Sequence, residues 1–233
     1  MRSAAGTDAP PARDLAWRPS FRIVSSRFPP VGLFDAIADP ADLEALYEIE
    51  GLTNPRLREE LGQIRLVPPE QRIIGPGTTP VMAAFTHPNP DGSRWSDGRY
   101  GVYYAAADRA TAIAETVYHR EIFLRATAEP PCVLEMRSYL ADIAGRFNDA
   151  RGGWPELHDP VDYAASQRLG RALHAAGADG VAWDSVRHAG GTCIAAFRPD
   201  RIGPARQGEH FHYHWDGHAI AHVVVASEIL HLR

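Results

Sequence analysis

The sequence predicts an α+β fold in a single domain, with a mainly antiparallel sheet flanked by helices. Three observations lead there. Of the 233 residues, 45 % are hydrophobic, enough to bury one sizeable core. The patterned segments run as a mixed block, then strand–helix–strand, a further helix and a strand-rich end. That order lacks the βαβ alternation of a doubly wound parallel sheet. No repeat period and no low-complexity tract appears, so a solenoid or propeller is excluded.

The elements follow in order. A short strand is read at 21–24 (Phe21, Arg22, Ile23, Val24), ending at Phe28-Pro29-Pro30. A helix is predicted over 40–47, with Asp39 as N-cap, Pro40 at its first position and Leu43, Leu46 and Tyr47 at helical spacing. A second is predicted over 55–61 behind Asn54. Residues 67–99 read as a long Pro/Gly/Asp/Ser-rich loop, interrupted by the apolar run Pro80 to Phe85 and turning at 88–92. Such a loop in a compact domain serves a site or a partner. A strand follows at 100–105, then a helix capped by Asp108 and running to about Arg125, with Ala110, Ile113, Ala114, Val117 and Leu124 as its buried stripe. Next come a strand at 132–136, a helix over 161–176 that stops at Gly177, and strands at 180–184, 192–198, 209–215 and 219–225.

Charge and composition exclude several function classes. A formal net charge of −5 with 23 % charged residues of mixed sign leaves no basic stripe for neutralising phosphates, so direct nucleic-acid contact is not expected. Two cysteines, Cys132 and Cys193, stand in no metal-ligand spacing and fit a reduced cytoplasmic compartment. No segment approaches the roughly 20 apolar residues of a membrane span. The Ala/Pro-rich stretch 1–16 has no apolar h-region and is expected to be a flexible leader, with the domain occupying 17–233.

The most informative stretch is 93–120. Arg94 lies in a loop just before a strand, Tyr104 at the end of that strand, and Glu115 about two turns into the next helix. A loop–strand–helix layout can bring these three to one sheet edge, and Glu115 and His119, four apart, share a helical face. Each position also has an ordinary structural use. A loop arginine can be solvated, a strand tyrosine can be core, and a Glu–His pair can be a surface contact. Spacing alone leaves these readings open.

The run R-W-S-x-G-x-x-x-x-x-Y from Arg94 to Tyr104, followed by A-x-x-x-x-x-A-x-x-E-x-x-x-H from Ala106 to His119, resembles the signature of RES-domain proteins. These are toxins of bacterial toxin–antitoxin pairs, named for an Arg, a Glu and a Ser. The resemblance assigns Arg94, Tyr104 and Glu115, and Ser185 in Gly180-Val181-Ala182-Trp183-Asp184-Ser185 supplies the third member. It covers about 20–200. Arg27, near the first strand, resembles a further family arginine, although packing of its stem over that strand is an equal reading. Ser96 stands where short family members have Asn, and the chain carries extra sequence at 35–90 and after 200.

The resemblance implies an ADP-ribosyltransferase-like sheet and cleavage of NAD⁺ at the nicotinamide–ribose bond, with NAD⁺ as substrate and no resident cofactor. The implied roles are Glu115 beside the developing ribose charge, Arg94 and Arg27 on the pyrophosphate, Tyr104 stacked on the nicotinamide ring, and Ser185 hydrogen-bonded to ribose or carboxamide. It also implies an Xre-like antitoxin that blocks the site. The acceptor of ADP-ribose (water, phosphate or a protein target) is left open. A separate reading concerns the strand 209–215, where His210, His212 and His214 share one face. They could bind a divalent ion or serve a non-catalytic interaction module, or simply form a His-rich polar face. Adjacent positions on one strand rarely converge tetrahedrally, which favours the latter.

Overall fold

The computed structural model describes residues 9–26, 33–36 and 62–226. Its elements are β1 (Ala12–Ser25), α1 (Leu33–Ala36), α2 (Thr79–Thr86), β2 (Tyr103–Ala106), α3 (Arg109–Ala126), β3 (Cys132–Asp149), α4 (Ala164–Ala175), β4 (Gly180–Asp184), β5 (Thr192–Ala196), β6 (Arg206–Trp215) and β7 (Ile220–Ala226). The strands form one seven-stranded sheet in the order β1-β2-β5-β4-β3-β6-β7. Every described pairing is antiparallel except β3–β4. The fold is α+β, as the order of elements implied. A further β1–β3 ladder, from Ala12↔Asn148 to Ser25↔Met136, curls the first five strands towards a closed ring.

Period-2 alternation sends side chains to two cores, one on each face. Tyr103 and Ala105 of β2 and Ile194 and Ala196 of β5 join the core beneath α2. Tyr104, Ala106, Cys193 and Ala195 face the other way, towards α3 and α4. An eight-residue helix such as α2 is too short to persist alone. Val81, Met82 and Phe85 are each at most 2 % exposed, and burying such side chains stabilises by roughly 1.5–3 kcal/mol apiece.

The structure alters several expected boundaries. Residues 12–16, assigned to the leader, are strand, because β3 continues far enough to pair with them. β3 itself runs to Asp149 rather than stopping at 136, since its second half alternates Ala141, Ile143 and Phe147 into the α2 core. The 67–99 loop contains α2. Its apolar residues crowd nearly every side of the helix, so no amphipathic period marks it. In α3 the buried residues are Thr111, Ala112 and Leu124, while Ala110 is exposed. α4 starts at Ala164, after Pro160 and an Asp-rich turn, and ends as expected before Gly177 (φ +73°). The helices expected over 40–47 and 55–61 lie outside the described residues. Among the described residues, no helix is long and apolar enough to cross a membrane.

Candidate functional site

Glu115 and Ser185 meet. Ser185 Oγ donates to Glu115 Oε1 at 2.6 Å, across 70 residues of sequence. Two local devices fix this contact. At the start of α3, Asp108 Oδ1 accepts the Thr111 amide at 2.9 Å and Oδ2 accepts the Thr111 hydroxyl at 2.6 Å, an N-cap that sets where the second turn begins. Burial opposes ionisation of Asp108, but these donors hold its carboxyl below the usual range. Just past β4, Ser185 Oγ accepts the amides of Arg187 (3.1 Å) and His188 (3.0 Å), and the Ser185 amide donates to Gly191 O at 2.9 Å. A local serine turn of this kind leaves the hydroxyl proton for Glu115.

Cys193 adds a third contact. Its buried Sγ lies 3.7 Å from the same Oε1. Burial and the adjacent Glu115 push its thiol well above the ordinary range, so it serves as a weak neutral donor. Both protein donors therefore converge on Oε1 of Glu115. Nothing in the spacing of Cys193 marked it for the site; only the pairing Trp183↔Cys193 between β4 and β5 places it there.

Tyr104 and Arg94 belong to the same face. The Tyr104 hydroxyl shares a 2.7 Å hydrogen bond with Ser93 Oγ and accepts the Trp95 amide at 2.9 Å. Burial raises its pKa to about 12. Its ring meets Trp183 edge-on at 6.1 Å, and Trp183 in turn contacts Trp95 at 5.6 Å. Arg94 is only 7 % exposed. Its Nη1 donates to Leu157 O (3.0 Å) and Asp159 O (2.9 Å), and its guanidinium lies 4.4 Å over the Tyr163 ring. Arg94 thus straps the segment between β3 and α4 across the site. On the other flank of that segment, Tyr118 and Arg187 both donate to Pro160 O, with the Arg187 guanidinium 3.2 Å over the Tyr118 ring.

Four expected residues, Arg94, Tyr104, Glu115 and Ser185, thus share the face of the sheet beneath α3. Arg27 lies outside the described residues. His119 is exposed, its ring edge-on to Tyr118 at 5.3 Å, with no hydrogen bond to Glu115 given by the structure. The structure adds Arg22 on β1, whose Nη1 donates to Tyr104 O at 3.1 Å while its guanidinium sits 4.8 Å from the Tyr103 ring. That places it on the α2 side, opposite Glu115, and burial lowers its pKa.

The RES domain profile matches residues 69–216, a span that holds Arg94, Tyr104, Glu115 and Ser185 and more than half of the chain. This chain is a member of the RES-domain family. The "Uncharacterized protein y4oC" of Sinorhizobium fredii (strain NBRC 101917 / NGR234) is 35 % identical over 211 residues, covering 86 % of this chain and 84 % of that one. A chain in the crystal structure of the M.tuberculosis MbcT-MbcA toxin-antitoxin complex superposes with a TM-score of 0.48 at 12 % identity, covering 85 % of this RES chain and 86 % of that one.

The histidine-rich strand behaves differently from a ligand set. On β6, Phe211, Tyr213 and Trp215 are buried under α3, while His210, His212 and His214 line the opposite face. His210 pairs with Gln207 at 2.8 Å, and His214 stacks on His222 of β7 at 4.3 Å. Among the described residues, no three His, Cys, Asp or Glu side chains are grouped to hold a metal.

Proposed function

We propose that this RES-domain protein binds NAD⁺ and cleaves its nicotinamide–ribose bond, as the toxin of a bacterial toxin–antitoxin pair acting in the cytoplasm. The observation that supports this most is the Glu115–Ser185 contact at 2.6 Å, because it joins two family residues through elements that meet only in the folded chain.

As the glycosidic bond lengthens, positive charge builds on the ribose. A carboxylate held beside that carbon stabilises the charge without reorganising. Glu115 fits this role: Ser185 and Cys193 occupy Oε1, which leaves Oε2 for a ribose hydroxyl or the developing cation. Ser185 is a positioning residue in this reading, and its hydroxyl can turn to the substrate only by releasing Glu115. The remaining N–H groups of Arg94, whose Nη1 is spent on two carbonyls, are offered to the pyrophosphate in fork geometry. Tyr104, with its hydroxyl engaged by Ser93 and Trp95, presents its ring rather than its oxygen, as stacking on a cationic nicotinamide requires.

ADP-ribose passes to water, phosphate or a protein side chain. The destination of an adenine-labelled NAD⁺ distinguishes free ADP-ribose, its phosphate and a labelled protein band. An Xre-like antitoxin covers the site and carries the DNA contact, in keeping with the acidic balance of this chain. The test is nicotinamide release by the protein freed of any partner. Glu115→Ala is expected to lower it by at least about 100-fold, the scale of losing one preorganised electrostatic group. Unchanged release would remove Glu115 from the chemistry.

A further inference from the structure

We propose that the cavity behind residues 95–104 is a binding site for an uncharged single-ring aromatic compound carrying one hydrogen-bonding substituent, such as a phenol or an aromatic amide. The cavity, about 140 Å³, lies between the 66–71 segment, α4 and the end of β5, apart from Glu115. It is close to the volume of about 150 Å³ known to admit one benzene ring.

The lining selects the ligand's shape and charge. Tyr100 and His174 stack face to face at 3.9 Å with 16° between planes. Phe197 stands edge-on to both, at 5.9 Å and 5.8 Å. Phe85, Leu66 and Val67 complete an apolar floor. A flat ring satisfies such walls better than a branched aliphatic group.

The polar groups favour a neutral occupant. Arg198 at the mouth is held by Asp200 through Nε (3.1 Å) and Nη2 (2.8 Å), so its charge is already balanced. Burial keeps the His174 pKa below its ordinary value, and among the described residues the His174 ring nitrogens have no hydrogen-bond partner. The Gln71 carboxamide, also on the wall, is similarly uncommitted there. One donor or acceptor on the ligand ring could pair with either, whereas a carboxylate or ammonium would lose its hydration to no opposite charge.

The cavity also backs onto the site. The Tyr100 hydroxyl donates to Trp95 O at 2.6 Å, and the Trp95 amide donates to the Tyr104 hydroxyl at 2.9 Å. A ligand against Tyr100 therefore stands two hydrogen bonds from Tyr104. The binding proposal itself does not require the NAD⁺ reading.

The test is calorimetric titration of the Glu115→Ala protein, with and without saturating NAD⁺ to occupy the Tyr104 face, with phenol, benzamide, nicotinamide, benzoate and benzylamine. The neutral rings are expected to bind saturably, at least about tenfold tighter than benzoate or benzylamine. Filling the cavity with Ala178→Phe, or from the opposite wall with Leu66→Phe should one variant fail to fold, is expected to abolish that binding. His174→Phe keeps the stack but removes the ring nitrogens, and should weaken binding about fivefold, one hydrogen bond's worth. No saturable binding of any neutral ring, equal binding of the charged rings, or undiminished binding in a folded filled variant would each overturn the proposal.

Discussion

Ser185 does three things with one oxygen: it donates to Glu115 and accepts two backbone amides. Ser185→Ala is therefore expected to lower Tm as well as activity. Two amides lose an acceptor at about 1 kcal/mol each, or some 4–8 °C for a domain of this size, measurable by thermal unfolding. Arg94 is similar. Arg94→Ala leaves the carbonyls of Leu157 and Asp159 without their donor and should cost at least about 2 kcal/mol, so loss of activity in that variant must be read beside its stability. At His174 the sign follows from burial. Its folded-state pKa lies below the unfolded value, so between the two the unfolded chain binds more protons and stability rises with pH. Tm should therefore fall as pH drops below about 6.5, the ordinary histidine value, and that slope should flatten in His174→Phe. A slope unaltered by the substitution would show that other groups set the acid limb.

At the scale of elements, α4 and the 93–104 segment are locked together through a missing side chain. A Cβ at Gly170 would run into the Trp95 carbonyl oxygen. Helix propensity alone makes Gly→Ala stabilising by about 1 kcal/mol. Here the expected sign is reversed: Gly170→Ala should lower Tm, because α4 must withdraw from Trp95. A rise in Tm would show that this packing is slack. The cap at Asp108 works the other way, through a group that is present. Asp108→Ala is expected to cost about 1 kcal/mol and to loosen the turn that presents Glu115, read as a lower kcat for nicotinamide release.

For the whole molecule, sequence patterning carried the class and most of the second half: β4 falls on its expected residues, and Gly177 ends α4 as a C′ glycine should. α2 was hidden because the short apolar run Pro80 to Phe85 has no period to read. The extent of β1 and β3 was hidden because each makes the other's pattern meaningful only once paired over twelve registers. Among candidate site residues, Arg94, Tyr104, Glu115 and Ser185 were legible through ordered motifs, whereas Cys193 sits in an ordinary strand position and meets Glu115 only through sheet registry. Arg94 illustrates the remaining gap, since its hold on Leu157 and Asp159 crosses more than 60 residues that no motif spans.

Glu115, held by Ser185, is proposed to serve cleavage of NAD⁺. The most direct measurement is nicotinamide release from NAD⁺ by purified wild-type protein and by Glu115→Ala, with folding of both checked by circular dichroism. Release by the wild type and a loss of at least about 100-fold in the variant are expected. Folded wild-type protein that releases no nicotinamide, with or without phosphate and lysate present, would contradict it.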